Sequence, residues 1–321
     1  MRIANCNIFC GDDGICLKSH RPNVTVKNVV VTNCTVSSLS SAIKLGVASQ
    51  GGFENVTITN CALYDTRLSG INLKMVQGGR MDRITVSNIT MHNVNGSIFM
   101  KLGWQKEGQQ KAIFRNVIMS NIIADGIGAW KADKKSKYHK DEYEQQIGIT
   151  ITGQAECIME NVTLSNIHLQ FAGGGTAEHA ALPLKDGSLR GYPKYNNFGI
   201  TPAYGINCQY VKNIRFNNIV FDYAEDDVRP AMFFQHSENV TLNSIHARVA
   251  DSAKAYVRMV NQNGAFIVNS KPTSGKAPFC SFEGTARDIT LMNNDFSNVK
   301  APFIKEATVD EKQIKRLGNI E

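Results

Sequence analysis

The sequence predicts an all-β fold, a right-handed parallel β-helix built as one solenoid of stacked coils. Three observations predict it. A strand-and-asparagine unit recurs every 27 or 28 residues, a second register runs alongside it, and helical periodicity is nearly absent.

The first register opens with Arg2-Ile3-Ala4-Asn5-Cys6. It returns as Val30-Val31-Thr32-Asn33-Cys34, Thr57-Ile58-Thr59-Asn60-Cys61 and Thr85-Val86-Ser87-Asn88-Ile89, so the asparagines advance by 28, 27 and 28 residues. The second register is Ile15-Cys16-Leu17-Lys18, then Ile43-Lys44-Leu45-Gly46 and Ile71-Asn72-Leu73-Lys74, with Ile98-Phe99-Met100-Lys101 continuing it. Each unit reads as short strands of period 2, rich in Val, Ile and Thr. A repeat of this length is too short for a propeller blade but suits a solenoid coil, in which each coil covers the apolar face of its neighbour. Later copies at Asn121, Asn166, Asn218, Asn243 and Asn293 are, but for the step from Asn218 to Asn243, more widely spaced. Gly, Pro and charge therefore place loop insertions near 126–146, 172–203 and 250–284 within a single domain spanning 1–321.

The repeat also accounts for other motifs. The repeated Asn is expected at an interior turn, its amide bonding those above and below. Seven N-x-[ST] matches occur, at Asn23, Asn33, Asn55, Asn88, Asn95, Asn161 and Asn239. Most fall on repeat positions and read as structural rather than as glycosylation sites. Cys6, Cys34 and Cys61 share one position and read as a stacked thiol column. None of the eight cysteines forms a C-x-x-C pair, and the seven histidines show no ligand spacing, so no metal or cofactor is implied. The net charge of +7 suits an anionic partner, but no nucleic-acid motif accompanies it. No run of about 18 apolar residues predicts a membrane span.

Strand alternation aims the side chains. With Ile15, Leu17, Ile43, Leu45, Ile71 and Leu73 inward, Cys16, Lys44 and Asn72 form one outward column, and Lys18, Gly46, Lys74 and Lys101 the next. Lys44 and Lys74 are then neighbours on an exposed face. Gly11-Asp12-Asp13-Gly14 stands immediately before the first of these strands. As an isolated dipeptide, Asp-Asp reads as a turn. Beside a lysine-bearing face it reads as the carboxylate pair of a glycosidase, one group protonating the leaving oxygen and the other activating water. Crowding is expected to raise one pKa of the pair. The lysine run Lys131, Lys134, Lys135, Lys137 and Lys140 reads as a solvated loop tip or a cleft lining for an acidic polymer. Trp104 and Trp130 could stack on sugar rings, while Glu225, Asp226 and Asp227 read as a loop between coils.

The run Asn5-Cys6-x-Ile8-x-x-Gly11-Asp12-Asp13-Gly14-Ile15-x-Leu17-Lys18-Ser19 closely resembles the signature of glycoside hydrolase family 28, the polygalacturonase and rhamnogalacturonan hydrolase family. The resemblance continues through Ser41–Gly46, Gly51-Gly52-Phe53, Gly70–Lys74 and Gly78-Gly79. Phe171–Thr176, Phe198–Gly205 and Asp227–Ala231 then look like a bacterial, pectin-degrading branch. It covers about residues 2–250 and implies a right-handed, pectin-lyase-like β-helix.

On that resemblance the chain is an inverting hydrolase of galacturonic-acid-containing pectic polysaccharide. Asp12 is the general acid, Asp13 shares the activation of water, and Lys74 falls on the lysine that holds the substrate carboxylate. Three positions depart from the pattern. Ser41 aligns with the family's cleft histidine, and Asn72 with an arginine for which Lys44 could substitute from the adjacent coil. A third catalytic Asp belongs one coil upstream. The expectation is therefore a chain truncated at its N-terminus, able to self-associate through an exposed first coil and of little activity alone, from a secreted or periplasmic parent acting on acidic plant cell-wall polysaccharide. The alternative is a non-catalytic or degenerate carbohydrate-binding β-helix. A polysaccharide lyase on this architecture would call for a richer carboxylate cluster for Ca²⁺.

Overall fold

The computed structural model describes residues 1–104, 110–131, 147–185 and 198–321. Its strands form one 21-stranded sheet in which every pairing between named strands is parallel, coiled on itself as a β-helix. Each coil contributes to three walls. The first runs from Arg2–Ala4 and Val26–Thr32 to Ile314–Leu317, and the second begins with Asn7–Cys10 and Thr35–Ser38. The third starts at Ile15–Ser19 and Ile43–Ser49 and continues through Ile206–Gln209, Met232–Gln235, Val257–Val260 and Cys280–Glu283.

Coils such as Phe53–Met75 and Arg80–Leu102 are strand almost throughout. They turn at single left-handed residues, for example Asn55, Asn60 and Asp65. Asparagine suits these sites because it adopts positive φ more readily than other residues with a Cβ. Asn5, Asn33, Asn60, Asn88, Asn121, Asn166 and Asn218 all lie at φ between 52° and 59° along one corner. Their amides form the expected ladder, with Asn88 donating to Asn60 at 3.1 Å, Asn121 to Asn88 at 3.1 Å and Asn166 to Asn121 at 3.0 Å. The ladder is exposed, however, and does not line an interior turn. At the corner an L-residue with positive φ aims its side chain away from the coil axis.

The interior is a single stack of apolar side chains between the walls. Ile15, Ile43, Ile71 and Ile98 are in register, as are Leu17, Leu45, Leu73 and Met100, all 6% exposed or less. Cys34 and Cys61 are buried in the stack, with Cys6 packed against it, each thiol donating to the carbonyl two residues before it. Residues 250–284 prove to be wall rather than an extended insertion. Val257–Val260, Asn263–Val268 and Cys280–Glu283 continue the parallel ladders there, and only the intervening turns are irregular.

The outer face of the third wall is open at Lys18 but covered at Lys44, Lys74 and Lys101, contrary to the expectation of an open lysine-bearing surface. Outward-facing Phe99 and Phe233 join Ile147, Leu184, Phe198 and Ala203 in a second apolar cluster. Asn207, also outward, clamps the covering segment by accepting from Ala203 N and donating to Ala203 O, both at 2.9 Å. Asp227 and Arg229 form a fully buried ion pair at 2.5 Å that also bonds Gly175 N and Thr201 O, tying both covering segments to the wall. Of the lysine run, Lys134, Lys135, Lys137 and Lys140 lie outside the described residues.

Candidate active site

The carboxylate pair sits where the second wall passes into the third. The two glycines that flank it differ in need. A Cβ at Gly14 would lie 2.5 Å from Val36 Cγ1 and 2.6 Å from the Ala42 carbonyl, so the chain can dock there only without a side chain. Gly11 has open space. Backbone bonds from Gly14 N to Ser41 O at 2.9 Å and from Ile15 N to Ala42 O at 2.8 Å fix the turn to the next coil.

The two aspartates have opposite surroundings. Asp12 is exposed at the edge, held through its backbone carbonyl by Ser38 Oγ at 2.5 Å, while its Oδ1 accepts from Asp13 N at 2.8 Å. Asp13 turns toward the outward column of the third wall, with a side chain 12% exposed. Its Oδ1 accepts from Ser40 Oγ at 2.8 Å and from Ser41 N at 3.2 Å, and its Oδ2 from Lys44 Nζ at 2.6 Å. Burial pushes the Asp13 carboxyl up, but the Lys44 ammonium and the Ser40 and Ser41 donors outweigh it and hold the group below the usual carboxylate range. The expected rise is therefore absent from Asp13.

The other four candidates fall into two places. Ser41 and Asn72, both 1% exposed, bond each other, Asn72 Nδ2 donating to Ser41 Oγ at 2.9 Å. With Asp13 and Lys44 they make one connected cluster across three coils, while Asn72 Oδ1 is buried without a partner. Lys74 lies one column over, 2% exposed, its ammonium 5.2 Å from the Phe99 ring centroid. Lys101, in register beside it, donates to Gly153 O at 3.3 Å and sits 5.7 Å from the Phe198 ring centroid.

Ser38 and Ser40 were not singled out as candidates. The signal for Ser40 was present, because adding the coil period of 27 or 28 to Asp12 and Asp13 lands on positions 39 to 41, whereas Ser38 lies only 26 residues after Asp12. Trp104 packs a coil edge, its backbone N bonding Gln154 Oε1. Among the described residues no group of three His, Cys, Asp or Glu side chains could hold a metal.

The family model for glycosyl hydrolases family 28 matches residues 1–183, more than half of the chain and all six candidate residues. The chain belongs to that family, and so to the glycoside hydrolases that act on pectic substrates in general. No protein of curated function matches it.

Proposed function

We propose that this chain hydrolyses a galacturonic-acid-containing pectic glycan, polygalacturonan or rhamnogalacturonan, with inversion at the anomeric carbon, as in a bacterial pectin-degrading branch of the family. The observation that carries the reading is the divided environment of the acidic pair. One carboxyl is exposed at the edge, and its neighbour is half-buried and held ionised. In the proposed reaction Asp12 gives its proton to the glycosidic oxygen as the bond to the anomeric carbon breaks. Water adds to that carbon from the opposite face, and Asp13 takes the proton that the water loses. Lys74, the residue that the resemblance assigns to the substrate carboxylate, is covered at 2% exposure beside Phe99, so the step gives it no sugar contact. The setting that fits this chemistry is secreted or periplasmic, with an acidic plant cell-wall polysaccharide as the partner.

A second reading, a carbohydrate-binding protein without catalysis, is favoured by the Ser41–Asn72 bond. These residues stand where the resemblance places the family's cleft histidine and arginine, and Asn72 Nδ2 donates to Ser41 Oγ. Product analysis on polygalacturonate and rhamnogalacturonan separates the outcomes. A hydrolase releases new reducing ends without ultraviolet-absorbing unsaturation, and a lyase produces that unsaturation. Retention on immobilised polymer with neither product would leave binding alone.

A further inference from the structure

We propose that Lys44, with Ser40 and Ser41, replaces the missing cleft histidine as the device that holds Asp13 ionised and oriented, and that Lys44 is a positioning residue rather than a substrate contact. The proposal rests on the hydrolase reading for its place in the reaction and on geometry for its content. Lys44 was expected to face a sugar, yet it is 4% exposed and its ammonium lies 2.6 Å from Asp13 Oδ2. An ionised carboxylate offers roughly four lone-pair sites. Ser40, Ser41 and Lys44 occupy three of them, two on Oδ1 and one on Oδ2. The remaining position is on Oδ2, where the Cys16 thiol is the neighbouring group. That arrangement suits a water-activating base.

The device is built by coil stacking. Lys44 lies directly beside Cys16 in the outward column of the third wall, and Ser40 and Ser41 follow one coil after Asp13. Among the described residues, the titratable groups facing Asp13 are Lys44 and Cys16, with Asp12 adjacent in the chain and Lys18 acting on Cys16. The thiol is pushed up by burial and by the Asp13 charge, so it is neutral at working pH and Lys44 is the cation that governs the carboxylate.

The sign follows from the cation. Removing Lys44 leaves burial less opposed, so the Asp13 carboxyl must titrate at higher pH. The experiment is a ¹³C-carboxyl NMR titration of aspartate-labelled protein, with the Asp13 signal assigned by its loss in Asp13→Asn. It is run on wild type, Lys44→Met, Lys44→Arg and Ser40→Ala, and paired with pH–rate profiles. The Asp13 signal should titrate higher in Lys44→Met and return toward wild type in Lys44→Arg. The acid limb of kcat/KM should follow it, so that Lys44→Met loses roughly tenfold more turnover at about pH 4.5 than at about pH 7. An unmoved Asp13 titration in folded Lys44→Met overturns the proposal, as does an equal loss of turnover at every pH. If Lys44→Met does not fold, Ser40→Ala decides, because it removes one donor from the same carboxylate. A smaller upward move supports the device, and no move overturns it. If wild type cleaves no pectic glycan, the hydrolase reading fails and the titration alone decides the role of Lys44.

Discussion

The outer face of the third wall carries two acidic clusters, and they differ instructively. At one end Asp13 is held by Lys44, Ser40 and Ser41. Near the other, Glu283 takes both Nε and Nη2 of Arg258 at 2.8 Å, Lys254 at 2.7 Å and Ser281 at 2.9 Å. Lys44 and Arg258 belong to the same outward column, and in both clusters cations and hydroxyls outweigh burial to lower the carboxyl pKa, at Glu283 to about 2. Arg258 also reaches Ala180 O at 2.9 Å, so the Glu283 cluster fastens the short helix Ala177–Ala181 to the wall. Beside the Asp13 cluster stands an exposed second carboxylate, Asp12. The same charge pairing can thus serve packing in one place and prepare a base in another. What separates the two is the company each keeps.

That contrast breaks if the wrong cluster governs turnover. Asp12→Asn should lower kcat by about 10²–10⁴-fold with the melting temperature unchanged, as for loss of a general acid. Steady-state kinetics on a pectic oligosaccharide will show it, and wild-type turnover in this variant would remove Asp12 from the mechanism. Glu283→Gln should do the reverse. Uncoupling a mostly buried carboxylate from Arg258 should cost about 3 kcal/mol of stability in denaturant unfolding, with kcat nearly kept. Lys74→Ala should act on stability more than on KM, because its ammonium is covered at 2% exposure beside Phe99, and thermal unfolding measured alongside KM checks it.

The smallest effect is with pH. Asp13 and Glu283 both have depressed carboxyls, so each contributes stability that is complete above its unfolded value of about 3.9 or 4.3 and is lost as pH falls through its folded value. Melting temperature should therefore decline below about pH 5, with the Glu283 share persisting until pH approaches about 2. In Glu283→Gln the fall between about pH 4.3 and 2 should be shallower, and calorimetry across that range can detect it.

The fold was legible because a solenoid writes its geometry directly into the chain. A 27–28-residue period with an asparagine recurring at one corner told which residues stack, and Ile15, Ile43, Ile71 and Ile98 lie in register as that period demands. The family signature around Asp12 and Asp13 was legible for the same local reason. The state of the lysine face was not. Alternation tells which side of a strand a residue occupies, but not what lies over that side. Lys101 meets Phe198, 97 residues further along the chain, and Phe99 joins a cluster that includes Leu184 and Phe233. Lys44 bonds Asp13 because a coil of 28 residues plus three more positions brings an ammonium beside a carboxylate. The sequence by itself determined the coil, its register and its acidic pair, since these depend on neighbours one period apart. Only the tertiary structure decided which carboxylate is exposed, which lysine it pairs with and what covers the rest, because those depend on segments that no period relates.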